Sequence, residues 1–371
     1  MKSKRRSHGS FADLVDSAKV VVCCGSGGVG KTTTAAAVAI EAAQRGRRVC
    51  VITIDPARRL ADALGIAGEL GNDTTRVVLP EGEMWATMLD ARTTFDGVIR
   101  RHARDEKQVD RILGNQFYVN VASRLSGSQE YMAAERLFEL HNDDRFDLIV
   151  VDTPPSREAL DFLEAPQKLM NFLDHRVYRW LIAPARGGLK VLNIAAQPIL
   201  RTIGRVIGAD VLADAIDFFQ AFEGIEEGFR ARAEEVQTLL RSPETRYVVV
   251  ASPRHDTVNE AMYFVSQLGR TGMDTSAVIV NRLQPRFGKH SATKLRGAIK
   301  RLEAESPDSD ELVLHRNMAD LVAVADAEDK SIEPLLTFAE SAIVARVALR
   351  ADDVHDLTSI GSIGREIFGD R

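Results

Sequence analysis

The chain alternates short, almost continuously apolar runs with longer stretches of helical periodicity. Val20 to Cys24 is apolar throughout and rich in valine. "RVCVITI" (48–54), Met84 to Leu89, "FDLIVV" (146–151), Tyr247 to Ala251 and Ala277 to Val280 repeat the theme. Each run predicts a strand. Between them, Thr32 to Arg45 is alanine-rich and free of Gly and Pro, and it predicts a helix closed by Gly46. Thr94 to Leu113, Ser128 to His141 and Thr257 to Leu268 carry further helical patterns. Strands that are apolar at nearly every position, rather than at every second one, are buried on both faces. Such strands separated by helices specify a doubly wound α/β fold with a mostly parallel sheet.

One region breaks the alternation. From about Leu160 to Leu240 no strand pattern is visible, and three helical stripes take its place. One carries Leu169, Leu173, Val177 and Trp180. A second carries Leu192, Ala196, Ile199, Ile203 and Val206, with Pro198 starting or kinking it. The third runs through Val211, Ala215, Phe218, Phe222, Ile225 and Phe229 at alternating spacings of four and three. This predicts an all-helical insertion over 161–240, joined by helices from about 94–141, within an α/β domain formed by 19–160 and 241–371. Residues 1–18 form a basic tail.

Composition narrows the field. With 371 residues, 45% hydrophobic and 27% charged, the chain reads as an ordinary globular protein. A net charge of −5 argues against a general nucleic-acid binder. The three cysteines, Cys23, Cys24 and Cys50, lie on predicted core strands. They read as buried small hydrophobes in a reducing compartment. Neither a zinc site nor a thiol site for arsenite is expected from them. The start "MKSKRRSHGS" lacks a following apolar segment, so a signal peptide is not expected, and no apolar run is long enough for a membrane span. The expectation is a cytoplasmic protein, at most peripheral to a membrane.

The chemistry concentrates at the end of the first strand. Gly25-Ser26-Gly27-Gly28-Val29-Gly30-Lys31-Thr32 satisfies the phosphate-loop pattern G-x-x-x-x-G-K-[ST]. The glycines let consecutive backbone N–H groups converge on one anion. The helix that follows adds its N-terminal dipole. Lys31 is placed to reach the β- and γ-phosphates and Thr32 to hold Mg²⁺. Asp55 and Asp152 each end a predicted strand, and ligands of open α/β sheets bind beyond the strands' carboxyl ends. Alone, either could be a turn former. Together they are expected near the phosphates.

"GSGGVGKTTT", "TIDPARRLADALG" (53–65) and "VVDTPPSREAL" (150–160) together resemble the ArsA-type ATPases. That family includes the arsenite-pump ATPases and the guided-entry ATPases for tail-anchored membrane proteins, within the deviant P-loop class. The resemblance implies an Mg-dependent ATP hydrolase. It implies that Asp55 polarises the attacking water beside Lys31, and that Asp55, Asp152 and Thr32 manage the metal. It implies that Asn281 contacts adenine. Gly25, Gly27, Gly28, Val29, Gly30, Lys31, Thr32, Thr33, Asn281 and Arg282 would then hold ATP. "VALRADDVHDL" (347–357) resembles the family's adenine-side loop, with Ala348 where proline is usual, and Arg58-Arg59 stand where the family has His-Asn.

The departure with most consequence is Ser26. The class usually has a lysine there that reaches a dimer partner's nucleotide. Three explanations are open: a paralogous subunit carrying the lysine completes a heterodimer; another cation, with Arg58, Arg59 and Arg157 nearest by motif, substitutes; or turnover is slow and the protein is a nucleotide-gated binder. The resemblance also implies a client, a hydrophobic segment held by the helical insertion. Three amphipathic helices that simply bury one another are the competing account. A positioning ATPase at a membrane surface would normally need a terminal amphipathic helix. The C-terminus "SIGSIGREIFGDR" reads as glycine-broken.

Overall fold

The computed structural model describes residues 9–55, 57, 59–66, 68–119, 128–175, 208–288 and 291–369. Eight strands form one sheet: β1 (Val20–Gly25), β2 (Arg48–Thr53), β3 (Thr75–Val77), β4 (Glu83–Met88), β5 (Leu148–Asp152), β6 (Thr245–Ala251), β7 (Thr275–Leu283) and β8 (Ile343–Ala348). Their order is β3-β4-β2-β5-β1-β6-β7-β8. Every pair is parallel except β3 with β4 at one edge. This is the doubly wound α/β architecture of P-loop NTPases, with helical additions.

The continuous apolar runs have a simple origin. Val20, Val22 and Cys24 of β1 face one hydrophobic core, while Val21 and Cys23 face another on the opposite side of the sheet. The smaller core is closed by helices Phe11–Ser17, Lys31–Gln44, Arg59–Ala63 and Leu357–Phe368. The larger one is closed by Ala91–His102, Glu106–Leu113, Ser128–His141, Ser156–Asp174, Ala209–Ala221, Glu226–Arg241, His255–Arg270 and Asp310–Phe338. β1 lies between β5 and β6, with Cys23 in register with Asp152. The phosphate loop and the acids ending β2 and β5 therefore meet at one edge of the sheet.

Several elements differ from the sequence pattern. The run 94–113 is two helices, because Asp105 caps a fresh start by accepting the Gln108 N–H at 2.8 Å. The stripe 211–229 is divided at Phe222–Ile225 between helices Ala209–Ala221 and Glu226–Arg241. The C-terminus is not broken by its glycines. Leu357–Phe368 is a continuous helix capped by Asp356, and Gly364 lets its backbone approach helix Lys31–Gln44: a Cβ there would lie 3.0 Å from the Ala37 carbonyl oxygen. Its apolar face is buried against that helix, not displayed. A hairpin of helices Ala292–Glu305 and Asp310–Phe338 was not anticipated. Helix Ser156–Asp174 runs uninterrupted from the end of β5 into the region of the predicted insertion. The basic tail residues Lys2 to Arg6, the positions from Val177 to Val206, and Arg58 lie outside the described residues, as does the side chain of Arg157.

Candidate functional site

The loop from Gly25 to Thr32 joins β1 to helix Lys31–Gln44, as its sequence requires. Two glycines are there for steric reasons. A Cβ on Gly25 would lie 2.2 Å from the Val250 carbonyl oxygen on β6. Gly30 has φ 90°, and a Cβ there would lie 2.5 Å from Asn281 Nδ2. Gly27 and Gly28 open onto free space, with no heavy atom near a built Cβ. Val29 is buried and pins the loop to the protein. Thr33, half-buried on the first turn of the helix, follows Thr32 without a side-chain bond of its own among those described.

Lys31 folds back over the loop, its Nζ donating to the Ser26 carbonyl at 2.9 Å. It is 8% exposed, and desolvation pulls its pKa down while Asp152 works against that shift. Thr32 Oγ1 donates to Asp152 Oδ2 at 2.8 Å, and Thr53 Oγ1 donates to the same oxygen at 3.0 Å. Asp152 Oδ1 is buried without a partner. Burial lifts the Asp152 carboxyl to about 6, against the two hydroxyls and Lys31, which lower it. The Thr32 and Thr53 hydroxyls and a carboxylate with an idle oxygen form an oxygen-rich set suited to a hard cation, and the adjoining loop of backbone N–H groups suits phosphate. Asp55, at the end of the same β2 strand as Thr53, closes a local turn by accepting the Ala57 N–H at 3.0 Å and pairs with Arg59 at 3.5 Å.

The end of β7 completes the site from the other side. Asn281 Nδ2 donates to the Val29 carbonyl at 2.9 Å and Arg282 Nη1 donates to the Gly28 carbonyl at 2.8 Å. Arg282 has φ 62°, the positive-φ residue other than glycine among those described. Such a conformation costs about 1 kcal/mol or more. Its N–H is held by Asn281 Oδ1 at 2.9 Å.

The structure thus brings together Gly25, Gly27, Gly28, Val29, Gly30, Lys31, Thr32, Asp152, Asn281 and Arg282. Three features were not read from sequence. Thr53 shares Asp152 with Thr32; its place two residues before Asp55, on the same strand end, was the available signal. Ser26 is 3% exposed, and its Oγ is buried without a partner, so this position is turned into the protein. Arg59, among the cations nearest by motif, is already engaged by Asp55. The cysteines are buried free thiols whose pKa values burial pushes up, to about 12 for Cys24 and Cys50 and well above the ordinary thiol value for Cys23.

A second polar cluster lies in the large core, with no distinct sequence signal beyond an acidic residue on a buried stripe. Glu135 is fully buried, and its Oε1 takes Arg101 Nη1 at 3.0 Å and faces Arg232 Nε at 3.1 Å. Burial raises its carboxyl to about 7, against Arg232 and Arg101. The three residues tie helices Ala91–His102, Ser128–His141 and Glu226–Arg241 together. Beyond them, Phe95, Phe117, Tyr118, Phe218, Phe222 and Phe229 form a chain of ring contacts. Much of the third stripe is spent there: Phe218, Phe222, Ile225 and Phe229 are buried. Phe172, Val211 and Val119 are exposed, with Phe172 against Phe219 at 6.2 Å between ring centroids.

Comparison with known proteins agrees with this geometry. The family model for anion-transporting ATPases matches residues 18–305. An "ATPase get3" of Schizosaccharomyces pombe is 26% identical over 279 residues, covering 74% of this chain and 77% of that protein. A "Putative arsenical pump-driving ATPase 1" of Aquifex aeolicus is 21% identical over 355 residues, covering 95% of this chain and 79% of its own. An "ATPase get3" of Neurospora crassa is 26% identical over 262 residues, covering 70% and 71%. Among the described residues no helix is long and apolar enough to cross a membrane.

Proposed function

The chain belongs to the anion-transporting ATPase family and is an ATP hydrolase; from that premise we propose that its nucleotide state sets the position of a helical subdomain that takes a hydrophobic segment of a client protein. The observation that carries the nucleotide half is the contact of Thr32 and Thr53 with one oxygen of a buried Asp152 whose other oxygen is idle. Those residues fit Mg²⁺, with Thr32 and Asp152 holding it directly or through water. The cation would neutralise charge on the β- and γ-phosphates. Lys31, released from the Ser26 carbonyl, reaches the same phosphates. Asp55 orients the attacking water once it leaves its turn with Ala57 and its pairing with Arg59. Asn281 is the candidate for adenine.

The client half rests on Phe172, Val211 and Val119, three large apolar side chains of the helical part that keep 46%, 44% and 38% of their surface exposed. An apolar helix laid on such side chains is a recurrent mode of recognition. Helix Ser156–Asp174 begins four residues beyond Asp152 and ends beside Phe172, which gives phosphate state a rigid route to it. The high thiol pKa values of the cysteines speak against soft thiolate binding of arsenite, so "anion-transporting" serves here as a family label.

Ser26 bears on assembly. A short uncharged side chain turned inward cannot serve a partner's nucleotide, so we place this chain in a heterodimer with a paralogous subunit that keeps the lysine. ATP hydrolysis by the purified chain, alone and mixed with that subunit, tests this. Low turnover alone and strong turnover on mixing supports it. Full turnover alone, abolished by Asp55→Asn, rejects the heterodimer and leaves a self-sufficient enzyme.

A further inference from the structure

Two neighbouring side chains at the end of β7 grip the phosphate loop from its outer side, Asn281 at the Val29 carbonyl and Arg282 at the Gly28 carbonyl. A peptide unit is planar and trans, so its C=O and the following N–H point to opposite sides. Fixing these two carbonyls on β7 therefore turns the Val29 and Gly30 N–H groups the other way, into the hollow of the loop. Those are the donors that a phosphate group needs. Gly27, Gly28 and Gly30 leave the intervening peptides free to rotate, so an external grip decides which way they face. The close approach of Asn281 exists only because residue 30 has no Cβ, which would stand 2.5 Å from the amide nitrogen. Arg282 makes its bond from a left-handed backbone, φ 62°, stabilised by the bond of its N–H to Asn281 Oδ1. Strain of this kind beside a ligand site marks a residue whose direction is being dictated.

We propose that Arg282 is a positioning residue that preorganises the phosphate loop by holding the Gly28 carbonyl, so that the loop's N–H groups already face a di- or triphosphate before it arrives. This rests on the nucleotide-binding reading above and adds to it. Arg282 acts on the phosphates through the loop and not on the base. Its guanidinium also keeps a positive charge against a loop whose second residue, Ser26, has none.

The test is calorimetric binding of Mg-ADP, set beside ligand-detected NMR binding of adenosine, to the full chain and to Arg282→Gly and Arg282→Lys. Glycine relieves the backbone strain and removes the grip; lysine keeps one cationic donor. Arg282→Gly should weaken ADP by about tenfold, the scale of one charge-assisted hydrogen bond at an exposed position. Adenosine binding should stay within about twofold, well below one such bond, and the melting temperature should not fall. Arg282→Lys should recover part of the ADP loss. Equal losses for ADP and adenosine would make Arg282 a base contact and overturn the proposal. Unchanged binding of both would overturn it as well. Failure of the unaltered chain to bind ADP would instead sink the nucleotide reading, and the grip with it.

Discussion

Around the phosphate loop, position is enforced by backbone geometry and by single bonds from named side chains. Around the helical part it is enforced by many interlocking rings and one buried ion cluster. In the first region a Cβ at Gly30 would intrude to 2.5 Å on Asn281, and one oxygen of Asp152 organises two hydroxyls. In the second, Phe95 touches Tyr118, Phe222 and Phe229, and Glu135 meets two guanidinium groups from two other helices. The loop is therefore held from outside at two of its carbonyls, by Asn281 and Arg282. The helices are built as a stiff body in which Phe172, Val211 and Val119 keep part of their apolar surface exposed.

This contrast can be broken by substitutions that strike one region only. Lys31→Ala should have the largest effect, lowering ATP turnover by about 10²–10³-fold or more, because a donor aimed at developing charge is lost. Circular dichroism should show the fold retained, since the lysine is desolvated at some cost in the free protein. A melting temperature collapsing along with turnover would mean that Lys31 is a structural residue.

Glu135→Ala comes next and should act in the opposite sense. It removes the buried carboxylate that Arg101 and Arg232 share, leaving them Glu139 and Glu235 as partners, and should destabilise by about 2 kcal/mol in urea unfolding. Affinity for ADP should hold at temperatures where the protein remains folded. Loss of ADP affinity in the folded variant would show that the two regions are not separable.

pH gives a finer probe of the same cluster. The folded-state carboxyl of Glu135 is raised from 4.5 to about 7 by burial. The folded protein therefore holds this proton more tightly than the unfolded chain does. Stability contributed by the protonated form is present below the unfolded value and is lost as pH rises toward about 7. Relative to Glu135→Gln, the natural protein should lose stability over that window, by about 3 kcal/mol in all. Parallel pH profiles for the two proteins would contradict the assignment.

How far the sequence reveals each region follows from the same difference. The phosphate loop was readable because its chemistry is contiguous: Gly25 to Thr32 needs only a strand before it and a helix after it. Asp55 and Asp152 were readable because both end apolar runs. The grip of Arg282 on Gly28 was not, since it joins residues 254 positions apart through a backbone conformation that no local pattern announces. Glu135 was equally hidden, because its partners lie on two other helices. The C-terminal glycines misled for a related reason. Gly361 and Gly364 weaken a helix in isolation, yet Gly364 permits close packing on Lys31–Gln44, and tertiary contact outweighs propensity. The 211–229 stripe correctly indicated burial but not that a turn at 222–225 divides it.

The smallest expected effect concerns the exposed apolar side chains. Phe172→Asp should cost about 1 kcal/mol of stability, since the half-exposed ring also packs against Phe219. It should leave basal ATP turnover intact while reducing capture of a fluorescent apolar helical peptide. Undiminished capture would place the client elsewhere.

The central claim is that phosphate state at the loop sets the disposition of the helical part. Hydrogen exchange of the Asp55→Asn protein, compared with Mg-ATP and with Mg-ADP, addresses it most directly. The account predicts that replacing ADP by ATP alters protection in helices Glu106–Leu113, Ser156–Asp174 and Ala209–Ala221 as well as in the loop. Changes confined to residues 25–34, 53–60 and 152–156 would contradict it, leaving an ATPase whose helical part does not respond to its nucleotide.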